Sequence, residues 1–330
     1  MLTDDVLVLL TAGRGSFLSG AEISRSLGVT RMAISNAVRS LRDAGYEIDA
    51  VTNRGYRLVS GPDRLSSGDV LGLLPEERRE TVRVFASVDS TNTWLKREAM
   101  SGAPDGLCVI ADAQTAGRGR SGRSFLSAPE RGIYLSVLLR PKCPPDVCAT
   151  LTAHAAVAVC RAIERVCGVS PSIKWTNDIL LGGRKICGIL TELTLEGESG
   201  DVDSVVIGIG INANNRNEEF PPELREIAGS IYTASGKQIH RASLAAALVE
   251  ELDRMSRLWE KDARAYLADY RSRCVTVGRP VLIRRGDAQR QAFAEAVTDD
   301  FSLLVRYPDG ACEALTGGEV SVRGLLGYSE

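Results

Sequence analysis

Along residues 3–58, apolar positions first recur at helical spacing and then alternate. Asp4 to Leu10 reads as a short apolar helix, and Ala21 to Leu27, after the loop ending Ser19-Gly20, as a second. The turn Gly28-Val29 leads to Thr30, placed to cap a third helix over Arg31 to Ala44, whose Ile34, Val38 and Leu41 face a core. Gly45 suits the left-handed position that closes it. Strands are expected at 47–51 and 55–58, joined by Thr52-Asn53-Arg54. This is the order of a winged helix-turn-helix. The outer face of the third helix carries Arg31, Ser35, Asn36, Arg39 and Ser40, chemistry suited to base edges and phosphates. Thr30, Arg31, Ser35, Asn36, Arg39 and Arg54 are the candidate DNA contacts, with Arg57 beside the groove. The competing reading is a protein-interaction module, because the segment is nearly charge-balanced; clustering of arginine on one helix and the wing favours DNA.

Residues 60–79 read as linker plus a short helix. Beyond them, Val88 to Leu95 places hydroxyls and an amide at a helix start, and Ile133 to Leu139 is strand-like. Ile173 to Leu180 is an apolar strand ending in Lys, Asn and Asp, and Lys185 to Glu192 and Val205 to Asn214 are further strands. Tyr266 to Arg273 is helical. From Gly278 the pattern alternates as strands at 280–284, 291–297, 301–307 and 319–323, which fits a small SH3-like barrel. The expected domains are residues 1–63, 64–273 and 274–330, giving an α+β chain.

Composition narrows the function. The 330 residues are 44% hydrophobic and 25% charged with a formal net charge of −2, so any nucleic-acid contact needs a local basic patch. No apolar run approaches the ~20 residues that span a bilayer, and Asp4 and Asp5 stand where a signal peptide carries bases. A cytoplasmic protein with no membrane partner is expected. The eight cysteines form no Cys-x-x-Cys and read as buried small hydrophobes. With His154 and His240 the only histidines, a structural zinc site or a Ser-His-Asp hydrolase is disfavoured.

The densest chemistry lies in Ala116-Gly117-Arg118-Gly119-Arg120-Ser121-Gly122-Arg123. Glycine weakens helix and strand alike, and clustered guanidinium groups repel unless an anion lies between them. The loop therefore reads as one that folds around phosphate or carboxylate, the bland alternative being a solvated basic turn. Its Gly-x-Gly-x-x-Gly spacing raises a dinucleotide fold, but the loop runs on to a strand rather than opening a helix, which argues against that. Lys185 enters an otherwise apolar strand and is expensive there unless an anion meets it. Gly188, three residues on, suggests something approaching the backbone.

These segments together resemble the family of bifunctional biotin–protein ligases and biotin operon repressors. The resemblance rests on Gly117-Arg118-Gly119-Arg120-x-Gly122-Arg123, Lys174-Trp175-x-Asn177-Asp178, Lys185-x-x-Gly188-Ile189-Leu190-x-Glu192 and Gly208-Ile209-Gly210-Ile211-Asn212, in that order, and covers essentially the whole chain. It implies a central mixed-sheet domain like that of class II aminoacyl-tRNA synthetases. It also implies biotin and ATP as substrates with Mg²⁺, and transfer of biotin to the carboxyl carrier domain of acetyl-CoA carboxylase or a related enzyme. The adenylate-bound chain would form a homodimer on operator DNA. By the same resemblance Ser90, Thr91, Asn92, Gln114, Gly117, Arg118, Gly119, Arg120, Lys185 and Gly188 line the biotin site, with Lys185, Arg118 and Arg120 catalytic. Arg120, Arg123, Phe125, Lys174, Asn177, Asp178 and Asn212 hold ATP, and Asp178 contacts the metal. Two departures are Phe125 in place of the family's usual Trp and Thr176 in place of Pro. The nearest enzyme alternative is a lipoate or octanoyl transferase; the nearest binding alternative is a biotin-sensing repressor without ligase activity.

Overall fold

The computed structural model describes residues 2–197, 201–259, 261–286, 288–317 and 320–324. At the front, α1 (Leu2–Ala12), α2 (Gly20–Leu27) and α3 (Arg31–Asp43) pack with the hairpin β1 (Glu47–Val51) and β2 (Gly55–Ser60). Ser19 and Glu22 cap α2 reciprocally, and Thr30 Oγ1 accepts from the Ala33 amide that opens α3. Val6, Leu7, Leu10, Ile23, Ile34, Val38 and Leu41 form a separate small core. The wing is tied back to the α1–α2 loop by backbone hydrogen bonds between Leu18 and Tyr56, 2.8 and 2.9 Å. Gly55 is obligatory there: its φ is +101°, and a β-carbon would lie 2.0 Å from the Leu18 carbonyl oxygen.

The segment expected to be linker plus one short helix is instead two helices, α4 (Ser67–Leu71) and α5 (Glu76–Arg79), and α4 is docked against both neighbours. Leu65, Val70 and Leu74 enter the central core. Gly68 and Gly72 let the same stretch lie against Leu7 and Thr11 of α1, and the Tyr46 hydroxyl donates to Asp69 at 2.8 Å. The winged helix is therefore packed on the central domain.

In that domain β3 (Val82–Val88), α6 (Thr91–Met100), β4 (Cys108–Gln114), β5 (Gly132–Leu139), α7 (Pro145–Ala149) and α8 (Leu151–Cys167) come first. They are followed by β6 (Ser172–Lys174), β7 (Asp178–Leu181), β8 (Arg184–Leu195), β9 (Val202–Asn212), α9 (Ile231–Ser235), α10 (Arg241–Leu258) and α11 (Ala263–Arg273). The seven strands pair in the order β3-β4-β5-β9-β8-β7-β6, parallel only between β3 and β4. Helices α8 and α10 bury one face; α6 covers the other through Leu95 and Ala99 against Val109, Leu138 and Val206. Every residue of β5 is buried, as a strand covered on both faces requires. Contrary to the reading that nothing is long and apolar enough to span a bilayer, Pro145–Cys167 meets that length and composition. Most of it is buried against the sheet, so its apolarity is that of a core helix. Six of the eight cysteines are likewise buried.

At the end of the chain β10 (Pro280–Arg285), β11 (Ala288–Val297), β12 (Leu303–Arg306), β13 (Cys312–Leu315) and β14 (Val320–Gly324) form an antiparallel sheet ordered β13-β12-β11-β10-β14. This is the small β domain expected, with β13 as an additional strand; Glu319 lies outside the described residues. Trp175 joins it to the central sheet, donating from its indole to the Phe301 carbonyl and from its amide to Thr276 Oγ1, both at 2.9 Å.

Ile34 is fully buried at the centre of the front core. Ile34→Ala is expected to destabilise the winged helix by ~2–5 kcal/mol, read as a lower denaturant midpoint for the transition of that domain.

Candidate functional site

The floor of the main cavity is set by strand register. Antiparallel pairing places Gly188 of β8 opposite Gly210 of β9, and Leu190 opposite Gly208. A β-carbon at Gly208 would lie 2.0 Å from Asn92 Oδ1, and one at Gly210 would lie 2.6 Å from the Phe125 ring. At Gly188 it would come within 3.2 Å of the Lys185 side chain. Three glycines thus strip one patch of the sheet of its side chains, and Asn92, Phe125 and Lys185 reach across it. The resulting cavity is about 860 Å³, in the range of small-molecule sites.

One end of this cavity is a closed hydrogen-bond network built from the N-terminus of α6. Ser90 caps the helix. Gln114 Oε1 accepts from the Thr91 amide at 2.8 Å and its Nε2 donates to Ser127 Oγ at 2.8 Å. Ser136 Oγ lies 2.7 Å from Thr91 Oγ1 and 2.6 Å from Asn92 Oδ1. Asn92 Nδ2 donates to Glu192 at 2.9 Å, and Glu192 also meets Lys96 at 3.2 Å and Arg118 at 3.4 Å. Burial pushes the Glu192 carboxyl up, but the Asn92 and Lys96 hydrogen bonds with the nearby cations outweigh it and hold the group below its ordinary 4.5.

The other end is cationic. Lys185 Nζ lies 2.6 Å from Asp178 Oδ1, and Lys174 Nζ lies 3.8 Å from Asp178 Oδ2. The strand lysine does not wait for an external anion: Asp178, brought beside it by the β7–β8 pairing, offsets its charge, and its side chain keeps 38% exposure. Arg120 donates to Asn177 Oδ1 at 2.9 Å and to the Gly317 carbonyl from the C-terminal sheet. Burial makes its cation costlier, which the charge of Asp178 partly offsets. Asn177 in turn donates to the Ile189 carbonyl at 2.9 Å.

Of the small-molecule candidates, Ser90, Thr91, Asn92, Gln114, Arg118, Gly119, Arg120, Arg123, Phe125, Lys174, Asn177, Asp178, Lys185, Gly188 and Asn212 all line this one cavity. Gly117 does not; it stands behind the wall, where a β-carbon would meet the Phe125 carbonyl at 2.5 Å. Phe125 lies over Gly210 and edge-on to Tyr134, with ring centroids 6.3 Å apart. The sequence reading missed a strap at 220–229. Its Phe220, Leu224 and Ile227 give the cavity an apolar wall, and it adds to β8 at Lys185 itself, whose amide donates to the Ile227 carbonyl at 2.8 Å. Its apolar residues are scattered among Pro, Glu and Arg with no period, so nothing in the sequence signals it.

The DNA candidates lie on the winged helix. Arg31, Asn36 and Arg39 are exposed on α3 and Ser35 is half-buried, while Thr30 is engaged as the cap. Met32, 70% exposed on the same helix, was not anticipated. Arg54 and Arg57 stack on Phe17, their guanidinium carbons 4.3 and 4.7 Å from the ring centroid, and Arg57 also pairs with Asp49. Phe17 thus holds both wing arginines.

Residues 84–212 match the biotin/lipoate A/B protein ligase family and residues 3–57 match an HTH domain. Over 244 residues the chain is 42% identical to the bifunctional ligase/repressor BirA of Bacillus spizizenii, covering 74% of each chain. It is 32% identical over 319 residues to the Escherichia coli protein of the same name, covering 96% of each. Among solved structures it is similar to the biotin protein ligase from Aquifex aeolicus in complex with biotin and ATP. The TM-score is 0.63 at 27% identity, covering 74% of this chain and 98% of that one.

Because the folded pKa of Glu192 is lowered, its contribution to stability is present above its ordinary 4.5 and is lost as pH falls from there through the lower folded value. Glu192→Gln is expected to flatten that acid limb of the stability–pH curve, measured by thermal unfolding at a series of pH values.

Proposed function

The chain belongs to the bifunctional ligase/repressor family, and on that premise we propose that its cavity holds biotin and ATP so that the biotin carboxylate meets the α-phosphate beside Lys185. It is a biotin–protein ligase joined to a DNA-binding repressor domain. The observation that carries the placement is the glycine floor, open between an end lined by hydroxyl and amide groups and a cationic end.

A carboxylate oxygen attacks the α-phosphorus, pyrophosphate leaves, and a biotinyl-adenylate remains. Both reactants are anions, so the barrier includes their mutual repulsion. Lys185, Arg118 and Arg120 offset it and stabilise the charge that develops on the phosphoryl oxygens. The Thr91–Asn92–Ser136 network suits the neutral ureido end of biotin, and the apolar strap with the Phe125 ring suits adenine. Lys174, Asn177 and Asn212 stand on the phosphate and ribose side with Arg123. In the second step the ε-amine of an acceptor lysine attacks the acyl carbon, loses a proton, and AMP departs. The acceptor is the biotin carboxyl carrier domain of acetyl-CoA carboxylase or a related enzyme.

Among the described residues no three His, Cys, Asp or Glu side chains converge. The single carboxylate of Asp178 fits a Mg²⁺ ion that takes its other ligands from phosphate and water. When bound, the ion neutralises phosphate charge. Asp178 would hold the ion, and its Oδ1, 2.6 Å from Lys185 Nζ, positions the ammonium group.

ATP–pyrophosphate exchange with biotin, lipoate and octanoate offered in parallel tests the ligase reading. Exchange dependent on biotin alone is expected; exchange with lipoate or octanoate instead, or none, contradicts it. Lys185→Gln is expected to lower the rate by ~10²–10³-fold, the size of effect seen when one transition-state donor is removed. Arg120→Gly is expected to release free biotinyl-adenylate into solution.

For the repressor half, ligand-bound chains pair as a homodimer on a two-fold operator, in the cytoplasm where DNA, ATP and acceptor coexist. The exposed guanidinium and amide groups of α3 enter the major groove, and the arginines on Phe17 flank it. Arg39→Ala is expected to weaken binding to a duplex selected from a random-sequence pool with the wild-type chain. If Arg39 contacts phosphate, the slope of log affinity against log salt falls by about 1; an unchanged affinity removes Arg39 from the interface.

A further inference from the structure

We infer that Arg241 is a positioning residue that couples the ligand cavity to the placement of the winged helix; this rests on the reading that the cavity binds biotin and ATP. Arg241 opens α10 and is 1% exposed. Its backbone amide donates to Asp63 Oδ1 and its Nε to Asp63 Oδ2, each at 2.9 Å. The same guanidinium pairs with Asp112 and donates to the Gly132 carbonyl at 3.2 Å. Asp63 Oδ2 also accepts from Asn214 Nδ2 at 2.9 Å.

What matters is where these partners sit in the chain. Asp112 is two residues before Gln114 on β4, and Asn214 is two residues after Asn212, the last residue of β9. Gln114 and Asn212 both line the cavity; Arg241, Asp63, Asp112 and Asn214 do not. On the third side Asp63 follows Ser60, the end of the wing strand β2, by three residues. From Asp63 the chain runs into α4, which is docked on α1 and joined to Tyr46 through Asp69. The Arg241 guanidinium holds Asp63 and Asp112, and Asp63 holds Asn214, so this buried pair gathers two strands leading out of the cavity and the segment that carries the winged helix.

A buried cation held by two carboxylates cannot slide gradually, because any intermediate position leaves charge unpaired in a medium of low polarity. A shift of either strand end on ligand binding is passed to Asp63 as a change of pairing, and the docked α4 carries it to the DNA-binding face. None of these side chains is needed for the chemistry, so coupling and ligase activity are separable.

The test uses the full chain with Asp63→Asn, which keeps the side chain's shape but removes its charge and turns an amide donor toward the donors of Arg241 or Asn214, and with Arg241→Lys, which keeps the cation but loses the fork. Affinity for the selected duplex is measured with and without biotin plus ATP, together with pyrophosphate exchange and the melting temperature. In the wild-type chain the ligands are expected to tighten DNA binding by ~5–150-fold, the usual range of such couplings. In both variants that ratio is expected to fall to within about twofold of one while exchange stays within about threefold of wild type. A purely structural role would lower the melting temperature and leave the ratio intact; that result overturns the inference. If the charge variants fail to fold, Asn214→Ala, which removes one neutral donor from Asp63, decides the matter: a lowered ratio supports the inference and an unchanged ratio overturns it. Absence of biotin-dependent exchange in the wild-type chain would instead overturn the functional reading beneath it.

Discussion

The register of β8 against β9 is the constraint from which the site follows. With Gly188 facing Gly210 and Gly208 two pairs along on the same face, a central sheet that is otherwise closely packed acquires a floor without side chains. A shift of one residue would turn the glycines to the opposite face and bring isoleucines into the cavity. The same register carries Lys185 to the cavity edge, where the β7–β8 pairing supplies Asp178. Floor, ammonium group and carboxylate are consequences of one pattern of backbone hydrogen bonds.

That arrangement explains why opposing chemistries share one cavity. The network from Thr91 and Asn92 to Ser136 satisfies its own donors and acceptors before a ligand arrives, so it is preorganised. The cationic end pairs with Asp178 and with the Asn177 and Gly317 oxygens, which lowers mutual repulsion among its lysines and arginine while leaving donors for the phosphate proposed to bind there. The proposed adenylation asks the chain to hold positive charge ready without neutralising it fully.

What the sequence disclosed was the chemistry that is odd for its local structure. Glycines alternating with arginines, a lysine inside an apolar strand and glycines within β8 and β9 all contradict local propensity, and each proved to lie at the cavity or directly behind it. The helix periods around Ile34, Val38 and Leu41 were equally legible, because that face is wholly buried. What escaped depends on contacts between distant segments. Asp178 as the partner of Lys185 requires the β7–β8 pairing. The strap with Phe220 and Ile227 is composed of ordinary residues with no period. Helices α4 and α5 are too short to show a repeat, and the buried residues of α4 face two domains at once. Strand β13, only four residues long and starting two residues after the Pro308-Asp309-Gly310 turn, gave too little alternation to register. Arg241 reads as a solvated helix residue until Asp63 and Asp112 are brought to it.

The most direct test of the account is a crystal structure of the chain with biotinyl-adenylate. It should show the acyl-phosphate oxygens within about 3 Å of Lys185 Nζ, with the ligand seated over Gly188, Gly208 and Gly210. An adenylate bound elsewhere, or one with its acyl phosphate turned to solvent and Lys185 still closed on Asp178 alone, would contradict it.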